Sequence, residues 1–246
     1  MKDELKKEFD NLITSIAGRG IKTDEEIDAA MRAEATDARR RHLHEQNKIL
    51  NAPMWWTFEN LRAEPWPELW NEVKAKQNGD QRSILITAPT NSGKSHAAVA
   101  MARILAEQLA EAYSHLCKWR YMTVYRIKEH ELCPLWEVSR YRRSADIEER
   151  IEKAMRADVL VYDDLGKVEL VRGDGFALSP FGCVIFSIFD ERAEKRKINI
   201  VTSRYDDLTH LQRAVGVDLI RRIVQLEGND FHGRVLQKKE NAHVQP

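Results

Sequence analysis

The residues best suited to chemistry form one short run, Ala88-Pro89-Thr90-Asn91-Ser92-Gly93-Lys94-Ser95, set between the apolar stretch Ile84-Leu85-Ile86 and the helix-forming stretch His96-Ala97-Ala98-Val99-Ala100. A strand that turns through Gly-Lys-Ser into a helix is a Walker A pattern in the setting its chemistry requires. Backbone amides converge on a phosphate only if the loop curls tightly, which glycine at 93 permits, and the new helix aims its positive N-terminus at the anion. Lys94 adds a full charge for the β- and γ-phosphates, and the Ser95 hydroxyl offers a hard oxygen to Mg2+. Pro89, Thr90, Asn91, Ser92, Gly93, Lys94, Ser95 and His96 are the candidate ATP-binding residues. Ala88 stands where the usual pattern has its first glycine; alanine is tolerable there if its φ is negative.

A second constellation lies downstream. The apolar run Val159-Leu160-Val161-Tyr162 reads as a buried strand, and it ends in Asp163-Asp164-Leu165-Gly166, a Walker B pattern. Asp163 is placed to hold Mg2+ through water at the strand's carboxyl end. Asp164 occupies the position from which a glutamate often polarises the attacking water. Aspartate is one methylene shorter, which predicts slow hydrolysis.

Alternating strand and helix signals carry these motifs: strands at 83–87, 120–125, 159–162 and 198–202, and helices at 95–113, 147–156, 180–195 and 218–225. Short apolar strands separated by helices predict an α/β fold, a P-loop NTPase with a parallel sheet covered on both faces. Upstream, Leu5, Phe9, Leu12 and Ile16 line one face of a first helix, and Thr23 with Glu26 forms a capping box for a second that runs to about Lys48. Arg39, Arg40 and Arg41 make a basic turn whose plain reading is a solvated face. Between Asn51 and Trp70 four tryptophans and three prolines mark a boundary; the indoles suit packing, and also offer a flat surface to an adenine ring. The expected organisation is a helical region at 1–50, a linker at 51–82 and the nucleotide-binding core at 83–246.

Composition narrows the partners. Lys and Arg number 39, matching 39 Asp and Glu, so no global field draws the chain to nucleic acid or to an acidic membrane. The three cysteines, Cys117, Cys133 and Cys183, are widely spaced and odd in number, against a disulfide framework and in favour of a reducing cytoplasm. No apolar run approaches the roughly 18 residues of a membrane span, and neither export nor anchoring is expected.

The Walker A run, Tyr162-Asp163-Asp164-Leu165-Gly166, the helix end Phe189-Asp190-Glu191-Arg192, the strand Ile198-Asn199-Ile200-Val201-Thr202-Ser203-Arg204 and the segment Leu219-Ile220-Arg221-Arg222-Ile223 come in a telling order. Together they resemble the AAA+ ATPases of the bacterial helicase-loader type, DnaC and DnaI, and their transposition relative IstB. Thr57-Phe58-Glu59-Asn60-Leu61 looks like that family's opening segment, and the likeness spans about residues 55 to 230. It implies a ring- or spiral-forming homo-oligomer with a shared ATP site, no C-terminal lid, and a replicative helicase as partner, bound by the N-terminal helices. Some loaders carry zinc ligands in that region, whereas this one has no cysteine there. The resemblance places sensor 1 at Ser203 or Arg204. It matches Arg222 to the arginine finger, with Arg221 as the alternative, and makes Arg192 a weaker candidate beside its plain reading as a solvated helix end.

Single-stranded DNA is a further expected partner. Arg140-Tyr141-Arg142-Arg143 combines charge with an aromatic face, and Lys118-Trp119-Arg120 is similar. Three rival readings remain at this level: a small-molecule kinase, a non-hydrolysing nucleotide-dependent adaptor, and an IstB-like transposition ATPase.

Overall fold

The structure, a computed structural model, describes residues 24–61, 66–108, 121–139, 145–168, 170–172, 177–224, 226–227, 230–231 and 233–238. The chain divides into two compact units, Met1–His44 and Glu45–Pro246. The described part of the smaller unit belongs to helix α1 (Asp24–Leu50), which starts directly after the expected cap position. Arg39, Arg40 and Arg41 are exposed on it, Arg40 paired with Asp37 at 3.1 Å. The helix expected around Leu5 to Ile16 lies outside the described residues.

In the larger unit, α2 (Pro67–Gln77), β1 (Ile84–Thr87), α3 (Lys94–Ala106), β2 (Val124–Lys128), α4 (Glu129–Ser139), α5 (Ala145–Arg156) and β3 (Val159–Leu165) follow in turn. Then come β4 (Val171–Arg172), β5 (Ala177–Leu178), α6 (Pro180–Glu194), β6 (Ile198–Ser203), α7 (Leu208–Val215), α8 (Val217–Ile223), β7 (Leu226–Glu227), β8 (Asp230–Phe231) and β9 (Arg234–Gln237). Five strands form one sheet in the order β2-β3-β6-β1-β9, with every neighbouring pair parallel. The expected α/β architecture is therefore present.

Side chains alternate along each strand, so the sheet has two apolar faces. Leu85, Ile127, Leu160, Tyr162 and Val201 share one of them with Ile185, Ile188 and Phe189 of α6 and Leu219 and Ile223 of α8. On the other face Ile84, Ile86, Val161 and Ile200 are buried, and α3 crosses it with Ala97, Ala100 and Met101 buried in turn. Each Leu, Ile or Val hidden this way contributes about 1.5–3 kcal/mol, which holds the strand ends that carry the site.

Several elements differ from expectation, among them α2 and the edge strand β9, which no expected element covers. β2 runs three residues beyond Tyr125, because its buried positions are Val124 and Ile127. α4 was not anticipated, since Pro134 within it argues against a helix. α7 was missed as well; Asp207 caps it by accepting a hydrogen bond from the Thr209 amide at 3.0 Å. The described helix α3 ends at Ala106 rather than Tyr113. Arg192 is neither a solvated helix end nor a surface contact. It is fully buried, and its guanidinium donates to the Asn199 side chain and to the carbonyls of Ala154, Ala157 and Ile198 at 2.6–2.7 Å. It ties α5 to β6 from inside.

Candidate functional site

The site grows from the carboxyl ends of β1, β3 and β6, where a parallel sheet points its strand ends at a common edge. After Thr87 the chain leaves β1 through Ala88, whose amide donates to the Ser203 carbonyl at 3.2 Å. Ala88 is not among the positive-φ residues, so alanine is accommodated there. Gly93, the N-cap of α3, has φ +84°, and a Cβ there would meet nothing within 4 Å. Glycine is needed for the backbone angle, not for space. Asn91 also has positive φ, at 63°, which asparagine tolerates better than most residues.

Lys94 is buried, and its Nζ donates to the Pro89 carbonyl at 3.2 Å across the loop. Burial pulls its pKa below the usual lysine value, opposed by the charges of Asp164 and Asp163. The Ser92 hydroxyl is buried without a hydrogen-bond partner. Ser95 Oγ donates to Asp163 Oδ1 at 2.8 Å, which joins the two sequence motifs in space.

Asp163 is the hub. The Thr202 hydroxyl donates to Oδ1 at 2.6 Å, and Arg126 Nη2 donates to Oδ2 at 2.6 Å. Burial pushes the carboxyl pKa upward, but hydrogen bonds from Thr202 and Arg126, the Arg126 charge and the Ser95 bond together hold it below the ordinary carboxylate range. Asp164 sits at a register shift between β3 and β6, in the left-handed region with φ 67°, its amide donating to Thr202 Oγ1 at 3.0 Å. Thr202 therefore accepts from one aspartate and donates to the other.

Two site residues were not anticipated. Arg126 lay beyond the expected end of its strand, and no motif marks it. Thr202 stood one residue before the sensor expected at Ser203 or Arg204. The Ser203 hydroxyl turns to the opposite face and donates to the Leu165 carbonyl at 2.8 Å, while Arg204 is exposed. Thr202 is the polar group of that strand in contact with Asp163.

Beside the loop, an aromatic segment closes one flank. Residues Trp55, Asn60, Leu61, Trp66, Trp70 and His96 contribute to a cavity of about 270 Å3 that reaches Asn91, Ser92 and Gly93. His96 stacks on Trp56 at 5.7 Å and its Nε2 bonds the Thr57 carbonyl at 3.0 Å. Arg103 of α3 pins the same segment through the Trp56 carbonyl at 2.5 Å and also donates to Asn47 Oδ1 of α1 at 2.8 Å. Trp66 is buried as a packing residue, whereas Trp55 is exposed.

Arg222 and Arg221 lie together at the end of α8. Arg222 is half-exposed, with Nε 2.9 Å from Asp190 Oδ1 but out of hydrogen-bond alignment; Arg221 pairs with Asp218 at 3.4 Å. The segments Lys118 to Arg120 and Arg140 to Arg143 lie outside the described residues.

The donor set suits the groups it was expected to hold. Ser95 and Asp163 provide oxygen ligands alone, as Mg2+ prefers. A buried ammonium and an orphaned buried hydroxyl within the curled loop suit a polyanion. Among the described residues no helix is long and apolar enough to cross a membrane.

No protein-family model matches the chain, and no curated protein does. Solved structures do. The DnaC helicase loader superposes with a TM-score of 0.56 at 16% identity, covering 76% of this chain and 100% of that one. DnaI gives 0.52 at 16% identity, covering 78% and 93%. AMPPCP-bound DnaA from Aquifex aeolicus gives 0.53 at 17% identity over 75% of this chain, which spans half of that protein. At such identities the likeness is one of fold alone: the α/β fold of this chain is similar to that of DnaC, DnaI and DnaA.

Proposed function

We propose that this protein is a Mg2+-dependent ATPase that loads a replicative helicase onto DNA. The observation that carries the catalytic part is the Ser95 to Asp163 contact at 2.8 Å beside the buried Lys94. It brings a metal-ligating hydroxyl, a carboxylate and a phosphate-binding ammonium to the end of one sheet. Pro89 to His96 supply the amides around the triphosphate, Lys94 neutralises its terminal charge, and the Trp55 to Trp70 cavity takes the base. When bound, Mg2+ would lie against Ser95 and Asp163 and offset charge on the transferring phosphoryl group. Asp164 orients the attacking water, and Thr202 holds both aspartates in place. The Ser203 hydroxyl serves that strand end from behind, by fixing the Leu165 carbonyl.

The loader assignment draws support from coverage. The fold match extends over the whole DnaC chain and nearly all of DnaI, but over half of DnaA. Arg222, on the surface at the end of α8, is available to complete the ATP site of a neighbouring copy, giving a homo-oligomer with shared sites. Single-stranded DNA is the second partner in this reading.

The test is reconstitution. The protein is mixed with the replicative hexameric helicase and circular single-stranded DNA, and helicase retained on the circle is measured with ATP, with AMPPCP and without nucleotide. Nucleotide-dependent retention that disappears in Lys94→Ala supports the reading; equal retention under all conditions refutes it.

A further inference from the structure

Arg126 is an unusual neighbour for a metal-binding carboxylate. Its Nη2 lies 2.6 Å from Asp163 Oδ2, and the two side chains are 6% and 4% exposed. Its Nη1 donates to the carbonyls of Asn51 at 3.2 Å and Leu50 at 3.4 Å, where α1 ends. The guanidinium also lies over the Trp56 ring at 5.6 Å. One cation thus spans the Walker B carboxylate and the segment that walls the nucleotide site. Nε is buried without a hydrogen-bond partner, so the hydrogen bonds of this side chain run to Asp163 and to the Leu50 and Asn51 carbonyls.

We propose that Arg126 makes metal binding at Asp163 and docking of the Leu50–Trp56 segment compete with each other. Asp163 has two oxygens: Oδ1 faces Ser95, and Oδ2 is held by Arg126. A divalent cation arriving on the Ser95 side draws on the same carboxylate charge and repels the guanidinium in a site of low dielectric. The weakened ion pair loosens the grip of Arg126 on the Leu50 and Asn51 carbonyls and on Trp56. By reciprocity, a firmly docked segment lowers affinity for the metal by the same factor. Arg126 is a positioning residue in this account; it signals metal occupancy to the aromatic wall. The inference rests on the ATPase reading above.

The experiment uses the full chain saturated with AMPPCP and titrates Mg2+, following tryptophan emission and heat of binding. Subtracting the Trp56→Phe protein isolates the Trp56 signal. Arg126→Met should tighten Mg2+ binding about tenfold and remove the Mg2+-dependent change at Trp56. Arg126→Lys retains the charge but lacks the fork that spans carboxylate and carbonyls. It should bind Mg2+ within about twofold of the parent while losing the Trp56 change. Should Arg126→Met not fold, the lysine variant decides alone through that signal. Unchanged Mg2+ affinity in Arg126→Met, or a Trp56 signal that persists in either variant, overturns the proposal. AMPPCP binding at saturating Mg2+ is measured first: if the parent protein fails to bind it, the ATPase reading falls and takes this inference with it, whereas normal binding with identical Mg2+ titrations in parent and variants refutes the coupling alone.

Discussion

Asp163→Asn is the most informative perturbation, because it removes one charge and almost no volume. In the protein without nucleotide or Mg2+, the Arg126 guanidinium then loses its counter-ion at a position where the side chain is 6% exposed. Its buried Nε has no other acceptor, and the Asn51 and Leu50 carbonyls are dipoles, not charges. Breaking one partner of a buried ion pair costs about 3–5 kcal/mol. Removing both in Asp163→Asn with Arg126→Met leaves no uncompensated charge, so the double variant should recover about 2 kcal/mol or more relative to the sum of the singles. Urea melts in EDTA, followed by far-UV circular dichroism, give all four corners of the cycle. Acid sharpens the test. Asp163 titrates below the ordinary carboxylate range in the folded protein, through Thr202, Arg126 and Ser95 outweighing burial. Its contribution is complete above the unfolded pKa of about 3.9 and is lost as pH falls through the lower folded value. The difference between parent and Asp163→Asn should therefore be flat above pH ~5 and shrink only in stronger acid. Additivity of the two substitutions within about 0.5 kcal/mol would refute the ion pair as described.

Lys94→Ala should abolish detectable ATP binding by calorimetry while leaving the melting temperature unchanged or slightly higher, since the buried ammonium already has a lowered pKa. Arg192→Met removes donors to five acceptors and should cost about 3 kcal/mol in urea melts, yet leave the ATP dissociation constant near that of the parent at low temperature. Arg222→Ala, at a side chain 48% exposed, should change stability by no more than about 0.5 kcal/mol and cut steady-state turnover; mixing it with Asp163→Ala should restore part of the activity if the site is shared. Glu129 is pushed up to about 7 by burial, against hydrogen bonds from Val168 and Gly166 amides and the Tyr162 hydroxyl. The folded state then holds the proton more tightly than the unfolded one, so this group makes stability fall as pH rises from about 5 to 7, a slope that Glu129→Gln should remove.

The candidate phosphate loop and the two candidate aspartates stand out in the sequence because the pattern that marks them is local. Gly93, Lys94 and Ser95 are fixed by spacing along one strand-turn-helix, and Asp163 is announced by the apolar run before it. Arg126 and Thr202 do not stand out, since what makes them site residues is a pairing across strands far apart in the chain. Arg192 misled for a related reason. Arginine at a helix end reads as a surface charge, and only the convergence of α5, the turn that follows it and β6 supplies the interior carbonyls that satisfy it. The helix α4 escaped notice because Pro134 outweighs, in a local reading, the burial of Leu132 and Cys133 that tertiary packing rewards.

Register explains how the site is assembled. In the parallel pairing of β2 with β3, Arg126 lies opposite Val161 and Lys128 opposite Asp163. Arg126 is thus on the same face as Asp163, one pleat behind it, and its long side chain leans along the strand to reach the carboxylate. Ile200 pairs with Val161, which sets Thr202 level with Asp163 on that face as well, and Ile86 of β1 pairs with Thr202 on the other side. Four strands thereby send one polar group each, or the start of the phosphate loop, to the same edge. A slip of β2 by a single residue would turn Arg126 toward the opposite face, among Leu85, Leu160 and Val201, and bring Tyr125 or Ile127 to the carboxylate. The shift of register between Tyr162 and Leu165 serves the same end: the extra residue puts Asp164 at φ 67°, and Thr202 stabilises that turn by accepting its amide. Two acidic neighbours on one strand would otherwise point to opposite faces. With the bulge, the backbone of the second is bound to the hydroxyl that holds the first, so a substitution at Thr202 should disturb both aspartates at once.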